Sequence, residues 1–139
     1  DIELRKKLWD NFKKLNEEGV TIILTTHYLE EAESLCDEIA IIHKGKIVAN
    51  DKKKNLLKLI DKKILIMKFE ESPSKKLINA LNEFGETKID KKICVITFKP
   101  TKITIDNILK VTKSHGVTIL DLQTKDANLE DVFITLTKN

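Results

Sequence analysis

Glycine and proline are scarce, at four and two residues in a chain of 139. That excludes collagen-like repeats, flexible Gly/Ser linkers and proline-rich stalks. The two cysteines, Cys36 and Cys94, cannot build a disulfide scaffold and point to a reducing compartment. Arginine occurs once (Arg5), tryptophan once (Trp9) and tyrosine once (Tyr28). Nucleic-acid readers rely on arginine forks and aromatic platforms, so no nucleic-acid partner is expected. No apolar run approaches the roughly 20 residues of a membrane-spanning helix. The phosphate loop GxxxxGK[ST] and the dinucleotide pattern GxGxxG are missing, as are GxSxG and HExxH. The four glycines each sit at a turn or helix stop, so this chain has no loop to cradle a triphosphate by itself. The chain starts at Asp1 without a methionine or signal peptide, and the expectation is a piece of a longer polypeptide.

What is present is an ordinary globular composition. Hydrophobic residues make up 41% and charged residues 34%, with 25 Lys+Arg against 22 Asp+Glu and a net charge of +3. Twelve basic and twelve acidic residues lie before residue 63, thirteen and ten from residue 63 onward. A break near 61–63 therefore separates a neutral N-terminal region, 1–62, from a basic C-terminal region, 63–139. The Lys surplus of the C-terminal region (Lys75, Lys76, Lys88, Lys91, Lys92) suits a solvated surface, an acidic partner or anionic lipid headgroups.

The N-terminal region opens on a helical stripe, Leu4, Leu8, Phe12 and Leu15, stopped at Gly19. Val20–Leu24 is β-branched and apolar without alternation, which suits a strand buried on both faces of a parallel sheet. An acidic-fronted helix follows from Leu29, then a second buried strand over Glu38–His43. A Lys44-Gly45 turn leads into a return strand, and a short Lys-rich helix closes the region. The C-terminal region reads as strand Ile64–Phe69, a helix begun at Ser72-Pro73, strands Glu86–Asp90 and Ile93–Phe98, a helix from Ile105, and strand Val117–Leu122. That is βαββαβ, the ferredoxin-like order. An extra helix with Leu129, Val132, Phe133 and Leu136 on one face ends the chain.

His27 is the most informative residue. It follows the carboxyl end of the apolar segment, where α/β sheets place ligand-binding groups, and an imidazole can donate to phosphate oxygen. A helix-capping or merely exposed histidine fits the position as well. His43 and His115 fall where structural roles suffice, at a hairpin and at a helix end. No ligand spacing suggests a metal site. Cys36 reads as a small apolar filler.

The run from Gly19 to Val48, containing Thr25-Thr26-His27, an acidic helix, Asp37-Glu38-Ile39 and Gly45-Lys46-Ile47, resembles the switch-histidine region of ABC-transporter ATP-binding subunits. The C-terminal region and its last helix, Asn128–Thr137, resemble the small C-terminal domain of ATPases of the drug-exporter and ABC-2 type. The resemblance implies the C-terminal remnant of a P-loop nucleotide-binding domain, with parallel strands and helices, followed by an α+β domain. His27 becomes the H-loop histidine that contacts the γ-phosphate, and Asp1 the D-loop aspartate. Walker A, the Q-loop, the signature motif and Walker B are missing, so ATP and Mg2+ would be bound mainly by residues upstream and this piece alone would be inactive. The whole subunit would be an ATPase, peripheral to the cell membrane on the cytoplasmic side. It would work as a homodimer with a membrane permease subunit. The alternative is a non-enzymatic regulatory or interaction module with a vestigial switch region.

Overall fold

The structure, a computed structural model, describes residues 1–138. Its elements are α1 (Ile2–Glu17), α2 (Leu29–Leu35), β1 (Glu38–His43), β2 (Lys46–Lys52), α3 (Lys53–Leu57), β3 (Lys63–Phe69), α4 (Lys75–Asn82), β4 (Glu86–Asp90), β5 (Ile93–Phe98), α5 (Ile105–Ser114), β6 (Ile119–Asp126) and α6 (Leu129–Thr137). They form two compact units: Asp1–Lys58 with the segment from Asn128 onward, and Leu59–Ala127. The fold is α/β with antiparallel sheets, and the described residues hold six helices.

In the first unit, Asp1 caps α1 by accepting the Glu3 N–H at 3.0 Å. Three residues of the apolar stripe on α1 lie in solvent, Leu4 67%, Leu8 50% and Leu15 44% exposed. Of the stripe only Phe12 is half-buried, together with Trp9. The expected strand Val20–Leu24 is not formed. The segment has no ladder partner, and Ile23 is 91% exposed. A strand needs a ladder partner, and the two nearest in sequence, β1 and β2, pair with each other. The parallel sheet expected for residues 1–62 is therefore absent among the described residues.

β1 and β2 make an antiparallel hairpin. Its turn needs positive φ at both central residues, and Lys44 (51°) and Gly45 (74°) supply it. β1 buries only Ile39 and Ile41, alternating with exposed Glu38, Ala40 and Ile42. It is one-sided, not buried on both faces as its apolar run suggests.

The last helix departs from the expected division of the chain. Sequence order places it with residues 63–139, but α6 packs on α2, α3 and β2 of the first unit. Its buried Leu129 and Val132 need an apolar surface, and the buried sheet face of the second unit is already filled by α4 and α5. Polar ties fix the docking. Glu33 Oε1 accepts the Leu129 N–H at 3.1 Å, at the positive end of α6. Lys53 Nζ donates to the Glu33 carbonyl at 2.6 Å. Asn128 and Asp131 form a reciprocal capping box at 3.0 and 2.9 Å.

The second unit has strand order β4-β5-β3-β6, all antiparallel, the ferredoxin-like arrangement of its βαββαβ order. Period-two alternation turns Leu65, Met67 and Phe69 of β3 and Cys94, Ile96 and Phe98 of β5 to one face, with Leu65 opposite Ile96 and Met67 opposite Cys94. Leu77 and Leu81 of α4 and Ile108 of α5 close over that face. α4 is capped by Ser74, whose Oγ accepts the Leu77 N–H at 3.2 Å, two residues later than the expected start. Thr104 and Asn107 cap α5 reciprocally. The fully buried Thr112 hydroxyl is satisfied by donating to the Ile108 carbonyl at 2.7 Å.

Three outcomes are expected from this packing. Gly85 lies against the β5 backbone, where a Cβ would overlap the Thr97 carbonyl oxygen. Gly85→Ala should lower stability by about 1–3 kcal/mol, read as a shifted urea midpoint with an unchanged slope. Burial pushes the Cys94 thiol up to about 11. Because the folded value exceeds the unfolded one, Cys94 should resist alkylation at pH 8 and react only when denaturant exposes it. Glu33→Ala should speed amide exchange at Leu129 by about tenfold, measured by NMR, while α4 and α5 exchange as before.

Candidate functional site

Residues 20–26 form neither helix nor strand, and the chain bends at His27 before entering α2. The bend is local chemistry. Thr26 Oγ1 accepts the Tyr28 N–H at 3.0 Å, a hydroxyl-closed turn. This leaves His27 at the apex, exposed. The residue that caps α2 is Tyr28, and it does so without a side-chain hydrogen bond. His27 is therefore not a capping residue. Neither of its ring nitrogens is engaged in a hydrogen bond among the described residues. The ring rests on Tyr28, with centroids 4.3 Å apart and planes tilted by 32°.

Two contacts reach this loop from α1. The Arg5 guanidinium lies 5.4 Å from the Tyr28 ring centroid, within cation–π range. The Trp9 indole N–H donates to Glu31 Oε1 at 3.3 Å, and the Thr26 hydroxyl donates to Glu31 Oε2 at 3.4 Å. Both hydrogen bonds are long, so each is weak. Glu31 also sits in the first turn of α2, where the helix dipole favours a carboxylate. Arg5 and Trp9 are one helical turn apart on α1, which puts their side chains on one face.

The other sequence candidates lie elsewhere. Asp1 is committed to capping α1, and no hydrogen bond or ion pair joins it to His27 among the described residues. His43 packs edge-on to Phe133 with centroids 6.0 Å apart, and His115 caps α5 with Nδ1 2.9 Å from the Val111 carbonyl oxygen. Both roles are structural. Cys36 is half-buried just past α2. Burial raises its thiol pKa, opposed by the nearby Lys53 charge.

An exposed imidazole with both nitrogens available suits a phosphate oxygen. A cradle for the remaining phosphates and a carboxylate set for a cation do not occur among the described residues. Two shallow cavities of about 470 and 570 Å³ lie in the second unit, the first lined by Lys68, Lys91 and Lys92. Neither includes His27.

The sequence pattern singles out His27 but not its neighbours Arg5, Trp9 and Glu31. The one available signal was rarity: the only arginine, the only tryptophan and the only tyrosine of the chain gather at this loop.

No helix among the described residues is long and apolar enough to cross a membrane. No family model matches the chain. It is similar over 99% of its length to the linearmycin resistance ATP-binding protein LnrL of Bacillus subtilis, at 29% identity, covering 46% of that protein. The Nod factor export ATP-binding protein I of Ralstonia nicotianae is 31% identical over 99% of this chain and 43% of its own length. The daunorubicin resistance ATP-binding protein DrrA2 of Streptomyces coeruleorubidus is 28% identical, again over 99% of this chain and 44% of its own length. The chain thus spans less than half the length of these curated relatives. Across nearly all of its own length the chain is similar to ATP-binding proteins of ABC-transporter export and drug-resistance systems.

Proposed function

We propose that the chain belongs to the ATP-hydrolysing subunit of an ABC exporter, and that His27 is its phosphate-sensing switch. The observation that carries the reading is the exposed, hydrogen-bond-free imidazole that follows an apolar segment without a ladder partner. The relatives are named as ATP-binding proteins of export and drug-resistance systems, which supports the nucleotide.

The segment 20–26 has both edges free of a ladder, yet carries Val20, Ile22, Ile23 and Leu24. In this reading it is an inner strand of a parallel P-loop sheet whose other strands belong to the remainder of the subunit. The exposed leucines of α1 face the same remainder. The functional boundary falls at about residue 62, with the βαββαβ unit as a small α+β domain and α6 returning to the nucleotide-binding domain. ATP and Mg2+ are held mainly by residues outside this chain, and Mg2+ supplies charge neutralisation at the phosphates. Asp1 is the D-loop aspartate.

The chemistry asked of His27 is modest and specific. Phosphoryl transfer spreads negative charge over the equatorial oxygens, so a positioned donor there lowers the barrier. An imidazole N–H aimed at a γ-phosphate oxygen does this, and release of the phosphate removes its partner. The loop then passes the change to α2, which begins at Leu29, immediately after Tyr28. The subunit acts as a homodimer on a membrane permease, peripheral to the cytoplasmic side of the cell membrane, while the 139-residue piece alone hydrolyses nothing.

His27→Ala in the complete subunit should reduce ATP turnover by about 10²–10³-fold, with nucleotide affinity changed far less. Unchanged turnover would leave His27 a surface residue and remove the basis for the reading.

A further inference from the structure

We infer that α1 is the positioning element for the His27 loop, holding it at two points through Arg5 on Tyr28 and Trp9 on Glu31. The inference rests on the switch-histidine reading above and names the residues on which that reading depends.

The two points act on different stretches of the loop. Arg5 lies over the ring on which the His27 imidazole rests, so it fixes the platform. Glu31 takes the Trp9 indole N–H on one oxygen and the Thr26 hydroxyl on the other, while the same hydroxyl oxygen accepts the Tyr28 N–H. Thus the residues on both sides of His27 are tied, directly or in one further step, to one face of one helix. His27 itself is left without a hydrogen bond, free to take a ligand. An exposed imidazole with no support would sample many rotamers, and orienting it costs conformational entropy at the moment of binding. A clamp that restrains the neighbours lowers that cost and leaves the donor free.

The lengths of the links matter. At 3.3 and 3.4 Å for the hydrogen bonds and 5.4 Å for the cation–π contact, none is tight. Several loose links hold one arrangement on average and can be exchanged for another without a large barrier, as a switch requires. Motion of α1 along its axis would move Arg5 and Trp9 together, so the loop responds to α1 as a unit. Glu31 is a positioning residue on this account. Its carboxylate is suited to the role because each of its two oxygens accepts from a separate donor, whereas an amide has only one accepting oxygen.

The test uses the complete subunit. Trp9→Phe, Glu31→Gln and Arg5→Met should each lower kcat by about tenfold or more, with KM for ATP within about twofold of the original. Glu31→Asp should recover some of what Glu31→Gln loses. A direct readout accompanies turnover. The His27 ring resonances should broaden or shift in Trp9→Phe and Glu31→Gln, while the Cys94 environment is unchanged. Full kcat in all three clamp variants, beside a His27→Ala that has lost turnover, overturns the clamp and leaves the switch reading intact. Full turnover in His27→Ala overturns the switch reading and with it the clamp's function. A loss of thermal stability in Trp9→Phe with unaltered His27 resonances also overturns the clamp, since Trp9 would then be structural only.

Discussion

The Glu31 carboxylate accepts from an indole and from a hydroxyl, and those two donors belong to different segments of the chain. One is on α1, the other in the loop that carries His27. Few other polar links bind these pieces, because α1 buries no residue and the segment before His27 has no ladder. In a well-packed domain such a carboxylate adds little to a position already set by apolar contacts. Here the apolar contacts are sparse, so the polar ones decide where the loop lies. Glu33, two residues along, does the equivalent for α6 by accepting the Leu129 N–H. The short helix α2 is thus a junction: its side chains reach α1 and the loop through Glu31 and the last helix through Glu33.

The two units differ in how they are stabilised. The second has a continuous core of nine buried residues, from Leu65 to Ile108. Burying a large apolar side chain contributes roughly 1.5–3 kcal/mol, so this unit has the means to be cooperative. The first buries only Ile39, Ile41, Leu56, Leu129 and Val132 among its apolar residues, and leaves Ile23, Ile42 and Ile47 in solvent. With so many large apolar side chains in solvent, the first unit draws less of its stability from burial than the second.

The second unit was nearly fully legible. The apolar runs Ile64–Phe69 and Ile93–Phe98 and the glycine stops at Gly85 and Gly116 placed most of its elements within a residue or two, because each signal is local, although β6 continues to Asp126, past the expected end at Leu122. The first unit was less legible, for one physical reason. Val20–Leu24 has the composition of a buried strand, and composition reports what a segment needs, not whether a neighbour is present to supply it. The same holds for Leu4, Leu8 and Leu15. The last helix announced its apolar face clearly, but amphipathicity does not say which surface will receive it. At the site, His27 stood out by its place after an apolar run, whereas the contacts that Arg5 and Trp9 make with Tyr28 and Glu31 join segments more than twenty residues apart and have no local signature.

The path of the chain carries a final consequence. The βαββαβ unit leaves and rejoins its host fold, since residues on both sides of it belong to the first unit. Its first strand begins at Lys63 and its last ends at Asp126, and these residues are register partners joined by an ion pair at 3.3 Å. Departure and return therefore occur side by side. A unit whose own first and last residues lie side by side can be lengthened or shortened within itself without changing the separation of those two residues.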